Sequence, residues 1–285
     1  MAAQGIHPDD LQPDVALDDL EIDLLLEGVA RHWGHDLRGY ARAPLKRRAL
    51  ALLAAEGVAS LSGLQERVLH DAGAMARFLG AVTTGAGGIF RDPDFFLAFR
   101  RRIVPLLRTY PFARIWHAGC STGEDVYALA VVLVEEGLAP RVRTYATDLA
   151  EGVLQRAKAG VYSTDDLPAA EARYVRGGGR GSLADHVTIG PDGMRFHASL
   201  RDNVVFGQHN LATDRSFNEF NVVLCRDVTV HFSRELQTRV LGVLHGSLCR
   251  LGILGLGARE SLRGTGYEER FEPLDPDVRL FRRVA

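Results

Sequence analysis

Apolar residues recur at three- and four-residue steps through LDDLEIDLLLEGVARHW, Leu17 to Trp33, and that period predicts an amphipathic helix. The spacing repeats in RGYARAPLKRRALALLAAEG, Arg38 to Gly57, where Pro44 is expected to kink or interrupt the helix. SGLQERVLHD opens with Ser62 and Gln65 at capping-box spacing, and GAMARFLGAV gives a further short helix. Nothing in this first part reads as a strand, so a small helical bundle is expected over 18–88, behind a polar, acidic, loosely ordered leader over 1–17. Asp92-Pro93 is a cap and first-turn pair that opens a linker helix through DFFLAFRRRIVPLLR, within 89–110.

From residue 111 to 285 the pattern changes to strand–helix alternation. ARIWHAG and RVRTYATD read as strands, each followed by a helix, in GEDVYALAVVLVEEG and DLAEGVLQRAKAG. Later come a strand in FNVVLCRD, a helix in SRELQTRVLGVLHGSLCRLG and a strand in GILGLGA. This order predicts an α/β fold with a Rossmann-like, doubly wound parallel sheet. Short alternating runs and the turn Pro191-Asp192-Gly193 place a small β subdomain at about 174–207, and RFEPLDPDVRLFRRV reads as a hairpin at the sheet edge.

Composition narrows the function. The formal net charge of −2 argues against a general nucleic-acid binder. Cys120, Cys225 and Cys249 have neither a pairing framework nor metal spacing, so no metal site is expected and a reducing cytoplasm suits them. The most apolar late stretch contains His245, Arg250 and several glycines, which makes it a poor membrane span. The N-terminus is acidic and does not resemble a signal peptide.

The informative chemistry is in IWHAGCSTGED, where a strand runs into Gly119 and a helix begins near Gly123 or Glu124. Open α/β sheets bind ligands beyond the carboxyl ends of their strands, and glycine lets a ligand approach the backbone. Gly119-Cys120-Ser121-Thr122-Gly123 fits the loose nucleophile-elbow pattern, but His231 and His245 supply the partners of a hydrolase only weakly. A dinucleotide is disfavoured: G-x-G-x-x-G is absent, and Glu124 would set a carboxylate where a pyrophosphate belongs. S-adenosylmethionine carries a sulfonium, an ammonium and ribose hydroxyls, all of which suit acids, and Asp148 supplies a second acid at the end of the next strand. The plain alternative is that Glu124 and Asp148 merely cap their helices; two acids at consecutive strand ends beside a glycine turn favour the cofactor.

In IFRDPDFF, RIWHAGCSTGEDVYALA, YATDLAEGVLQRAKAGVY and VVLCRDVTVHFSRELQ, in that order, the chain resembles the CheR family of chemotaxis-receptor methyltransferases over nearly all of its length after residue 20. The resemblance implies a helical domain, a linker helix and a methyltransferase domain with a β subdomain. It also implies transfer of a methyl group from S-adenosylmethionine to glutamate side chains in the cytoplasmic domain of a chemoreceptor, leaving S-adenosylhomocysteine. By that match Gly119, Ser121 and Gly123 form the cofactor turn, Glu124 and Asp148 face the ribose and amino-acid parts, and Asn210, Leu211, Asp227 and Val228 fall at further cofactor contacts. Arg91 takes the place of the linker arginine near the methyl donor, and His231 stands where the family has a tyrosine of the active cleft. Arg38, Arg42, Lys46, Arg47 and Arg48 would form a basic surface facing an acidic receptor bundle.

The chain departs from the family in VTTGAGGIFRD. Gly85 and Gly87 stand where Asn and Thr or Ser are usual, Ile89 replaces the first Phe, and Asp227 replaces Asn. Together with His231 these changes gather at one expected cleft. They read as lost side-chain contacts, and they open the alternative of a weakened or silent relative acting as a binding or regulatory module.

Overall fold

The computed structural model describes residues 16–83, 87–275 and 277–284. The expected leader, apart from its last two residues, and Gly85 lie outside the described residues. Two compact units are present, one of residues 16–38 and 42–81, the other of 39–41 together with the chain from Val82 on.

The first unit is helical. It comprises α1 (Leu17–Trp33), α2 (Arg42–Glu56), α3 (Leu61–His70) and most of α4 (Ala72–Thr83). Ile22, Leu25, Leu26 and Val29 form the buried stripe of α1, which packs on α3 and its buried Leu61, Leu64 and Val68. Each such side chain contributes about 1.5–3 kcal/mol on leaving water. Two local expectations are corrected. The N-cap of α3 is Ser60, whose hydroxyl accepts from Gly63 N at 3.1 Å, while Ser62 sits inside the helix and donates to Glu21. Pro44 falls in the first turn of α2, where its missing N–H has no intrahelical partner to lose, and the helix continues through it.

The second unit is built on a seven-stranded sheet of order β6-β2-β1-β7-β8-β10-β9. Its strands are β1 (Ala113–Ala118), β2 (Val142–Asp148), β6 (Val204–Gln208), β7 (Phe220–Cys225), β8 (Leu248–Leu256), β9 (Phe271–Asp275) and β10 (Leu280–Arg283). The first five run parallel, and β10 and β9 close one edge as the expected antiparallel hairpin. α7 (Glu124–Glu135) and α8 (Glu151–Ala159) follow β1 and β2, and α10 (Arg234–Ser247) joins β7 to β8. This sheet, parallel over five strands with an antiparallel hairpin at one edge, is the α/β architecture that the alternation and the closing hairpin predicted. A smaller sheet of order β3-β5-β4 is formed by β3 (Val161–Tyr162), β4 (Val187–Gly190) and β5 (Gly193–Phe196), beside α9 (Leu167–Arg176).

The sequence misplaced two boundaries here. Val204–Gln208, expected within the β subdomain, instead extends the large sheet by pairing with Thr144–Asp148. The helix expected to reach Gly252 stops at Ser247, because β8 starts at once and absorbs extra residues in an irregularity between Phe220 and Val222 of its partner, with Leu251 at φ 61.

The linker is broken in the middle. α5 (Pro93–Ala98) passes into a π turn over Phe99–Ile103 and then α6 (Val104–Arg108). Pro105 has no N–H to give, which fits a shift of the hydrogen-bond ladder just before it. The π turn presents Arg100, 8% exposed, to Glu135 and to Glu136, with Arg108 and Arg180 also on Glu136 and the Tyr174 hydroxyl on Glu135. Burial raises the Glu135 carboxyl, and the Tyr174 hydroxyl and Arg100 guanidinium more than offset this, so it titrates below its ordinary value. Removing the Arg100 cation leaves the buried Glu135 without a guanidinium partner, while Glu136 keeps Arg108 and Arg180. Arg100→Met is therefore expected to cost about 3–5 kcal/mol in urea unfolding of the second unit. A depressed carboxyl stabilises the fold above its unfolded pKa and loses that contribution on acidification. The difference between wild type and variant should accordingly shrink as the pH falls from the ordinary glutamate range down through the lower folded value of Glu135.

Candidate active site

The carboxyl edge of the parallel strands carries the polar residues. β1 ends in a turn with three left-handed positions, Gly119 (φ 77), Ser121 (φ 51) and Gly123 (φ 92), before α7 begins at Glu124. A Cβ on Gly119 would lie 2.6 Å from Val228 Cγ2, so the loop after β7 closes on bare backbone. The N–H groups of Gly119 and Cys120 both reach Thr147 O, at 2.9 and 2.8 Å.

Asp148 links this turn to the next helix. One carboxylate oxygen accepts from Ser121 N at 2.9 Å and the other from Ala150 N at 3.1 Å. A carboxylate has about four acceptor sites, so about two remain for a ligand. Asp148 therefore does not cap α8, whose N-cap is Ala150. Burial raises the Asp148 carboxyl above its ordinary value, partly offset by the Ala150 and Ser121 N–H groups. Glu124 accepts from the Thr122 hydroxyl, 2.7 Å from each of its oxygens. A Cβ on Gly87 would lie 2.6 Å from Glu124 Oε1. Gly87 thus lies directly against the Glu124 carboxylate, and a side chain there would require that carboxylate to turn aside.

These residues line one cleft of about 960 Å³, open mouth included. The expected Gly119, Ser121, Glu124, Asp148, Asn210, Leu211, Asp227, Val228, Arg91 and His231 all meet there. Gly123 does not line it; it starts α7, against Ala157 and Tyr162. The Asn210 side-chain oxygen is used locally, accepting from Ala212 N at 2.9 Å.

Arg91 and Asp227, anticipated in separate roles, are bonded to one another, and Arg259 reaches the second Asp227 oxygen at 3.4 Å. Asp227 sits at φ 58, a conformation that Asp and Asn tolerate better than most residues.

Three lining residues escaped notice in the sequence. Arg226 bonds Asp125 and Asp92 and lies 4.1 Å over the Phe95 ring. His117 is 4% exposed, and burial with the nearby Arg226 charge pushes its pKa down to about 3, so it is neutral at physiological pH. His209 Nε2 donates to Arg215 O at 3.0 Å, since a carbonyl only accepts, which leaves Nδ1 as an acceptor. Period-two patterning marks His117 and Arg226 only as strand residues, and nothing local separates them from core.

Among the described residues, three buried side-chain polar atoms have no partner: His117 Nε2, His209 Nδ1 and Arg226 Nε. All three belong to residues that line this cleft. Buried polar groups are normally paired, so a ligand or ordered water is called for here. An acid-lined cleft with a glycine cradle and spare carboxylate acceptors fits a nucleoside bearing hydroxyls and positive charge.

The basic surface expected on the helical unit is largely neutralised. Arg38 is held by Asp36 and Glu27, Arg42 by Asp23, and Lys46 by Asp19, while Arg47 is exposed and Arg48 half-buried. Residues 16–38 and 42–81 carry nine acidic against eight basic side chains.

The sheet order and the cleft define a nucleoside-dependent methyltransferase fold. Residues 86–278 match the CheR methyltransferase SAM binding domain and residues 20–83 match the CheR methyltransferase all-alpha domain, so the chain belongs to the CheR family of S-adenosylmethionine-dependent methyltransferases. It is 46% identical over 265 residues to a Pseudomonas putida protein provisionally named methyltransferase Cher3, covering 93% of this chain and 97% of that one. It is 31% identical to chemotaxis protein methyltransferase 1 of Pseudomonas aeruginosa (74% and 79% covered) and 26% identical to the chemotaxis protein methyltransferase of Listeria monocytogenes (86% and 92% covered).

Three outcomes are expected in calorimetry with S-adenosylhomocysteine. Gly119→Ala combines a left-handed backbone with a contact on Val228 and should weaken binding by about tenfold or more, strain of ~1–2 kcal/mol being enough for most of that. Binding to the wild type should weaken on acidification, beginning above the ordinary aspartate range because Asp148 is raised. Asp148→Asn should bind more weakly and lose that part of the pH dependence.

Proposed function

We propose that the chain transfers a methyl group from S-adenosylmethionine to glutamate side chains in the cytoplasmic domain of a chemoreceptor. The observation that carries this reading is the convergence of Glu124, Asp148 and the three unpartnered polar atoms on one cleft at the carboxyl edge of the sheet. The names of the Pseudomonas aeruginosa and Listeria relatives support chemotaxis as the setting.

In this reading Asp148 accepts ribose hydroxyls with its spare acceptor sites. Glu124 takes positive charge at the amino-acid end, and the Gly119–Gly123 turn keeps the backbone close. Bound there, the cofactor supplies an electrophilic methyl group on a sulfonium. The incoming glutamate is ionised near neutral pH and needs no general base. The work of the protein is alignment and exclusion of water, of which alignment alone is worth roughly 7–11 kcal/mol in favourable cases. Arg91 orients the incoming carboxylate and His231 borders the same cleft. The helical unit meets the receptor with nearly balanced charge, so long-range electrostatic steering contributes little to that encounter.

A second reading is favoured by one specific contact. Asp227 already occupies Arg91, as a substrate carboxylate would. On this ground methyl transfer is weakened, and the chain acts mainly as a binding module. Radiolabel transfer from S-adenosylmethionine to purified receptor cytoplasmic fragments, alongside calorimetry with the cofactor, separates the two. Binding with transfer supports the enzyme, binding without transfer supports the module, and absence of both overturns the cofactor site.

Asp227→Asn tests the cause directly. An amide keeps the shape but releases the Arg91 charge, and transfer should rise by about tenfold, equivalent to ~1.4 kcal/mol of barrier. No rise, with cofactor binding unchanged, would show that the ion pair is not what limits the reaction.

A further inference from the structure

Glu260 lies just beyond β8, is 2% exposed, and is not among the residues lining the cleft. Its carboxylate nevertheless accepts five hydrogen bonds. It accepts from the backbone N–H of Asp227 (2.9 Å), Val228 (2.9 Å), Thr229 (2.6 Å) and Gly257 (2.6 Å), and from the Thr229 hydroxyl (2.8 Å). The left-handed Asp227 turns three successive N–H groups toward one point, which makes an anion-binding nest. The nest is filled from within the chain.

The nest joins the loops that follow two adjacent parallel strands, β7 and β8. On its other side, the loop after β7 presents the Asp227 carboxylate to Arg91 and lays Val228 against Gly119. We propose that Glu260 is the positioning residue of this wall of the cleft: as the resident anion of the nest, it sets where Asp227 and Val228 stand. Glutamine cannot replace it, because the side-chain amide turns an NH2 group toward N–H donors. Alanine leaves a hole of the right chemistry for a small carboxylate. The binding readout rests on the proposed cofactor site, whereas the exchange readout does not.

The test uses the full chain as wild type, Glu260→Gln and Glu260→Ala. It measures S-adenosylhomocysteine affinity by calorimetry and backbone hydrogen exchange, each with and without formate. Both variants should bind about tenfold or more weakly, as small misplacements in such sites do. Exchange should quicken at residues 227–229 and 257 while the strands stay protected. Formate should restore both properties saturably in Glu260→Ala and leave the wild type unchanged. Wild-type affinity in both variants would overturn the proposal. So would a loss that formate does not recover, accompanied by loosening throughout the unit, since that is what a purely structural residue would give. If Glu260→Ala does not fold, the affinity and local exchange of Glu260→Gln decide the matter by the same criteria. If the wild type binds no nucleoside, the cofactor reading falls, and formate-dependent slowing of exchange at 227–229 in Glu260→Ala then supports the proposal or, if absent, overturns it.

Discussion

Parallel strands that end together release backbone N–H groups at one edge, and each buried one must find an acceptor. In this chain carboxylates supply much of that pairing. Asp148 takes Ser121 N and Ala150 N, tying the turn after β1 to the start of α8. Glu260 takes the amides after β7 and that of Gly257. Gly119 and Val228 bring the two arrangements into contact, since any side chain at 119 would drive the walls apart. The cleft is the space that these pairings leave. It is shaped by how the backbone is satisfied as much as by residues that face the ligand.

The charges within it fall into two groups. Arg91 is matched by Asp227, and Arg226 by Asp125 and Asp92, so these cations bring little free charge to a ligand. Glu124 and Asp148 are bonded only to a hydroxyl and to backbone amides in the hydrogen bonds that define the site. The net field of the cleft is therefore negative. Such a field favours a ligand that brings positive charge and hydroxyl donors, and it disfavours phosphates. The same distinction set S-adenosylmethionine apart from a dinucleotide when only Glu124 and Asp148 could be read from the sequence.

Much of the fold was legible in the chain because hydrophobic period and glycine punctuation are local properties. The Leu17–Trp33 helix, the strand–turn–helix around Gly119 and the closing hairpin all follow from neighbours in sequence. The failures share a different cause. Val204–Gln208 joins the large sheet because β2 offers it an open edge, and no local pattern says which sheet a short strand will choose. β8 starts four residues before Gly252 because an irregularity in its pairing with β7 takes up the extra length. Ser62 and Gln65 matched a capping motif, but Ser60 reached the free amide first. The basic run from Arg38 to Arg48 looked unopposed only because its acidic partners on α1 stand some twenty residues earlier.

The site shows the same limit. Glu124, Asp148 and the glycine turn could be picked out because their places in a strand–turn–helix unit carry meaning. Arg226, His117, His209 and Glu260 could not, since each acquires its role from a residue far away in the chain. Asp227 shows why the difference matters. Read alone, it is an acid standing where the family resemblance leads one to expect an amide at a cofactor contact. In the folded protein it is a carboxylate whose backbone is held by Glu260 and whose oxygens face Arg91 and Arg259. An added negative charge is costly in a cleft already negative unless a cation is at hand, and Arg91 is that cation. The departure at 227 and the engagement of Arg91 are thus one change rather than two, and any account of this cleft's activity has to treat them together.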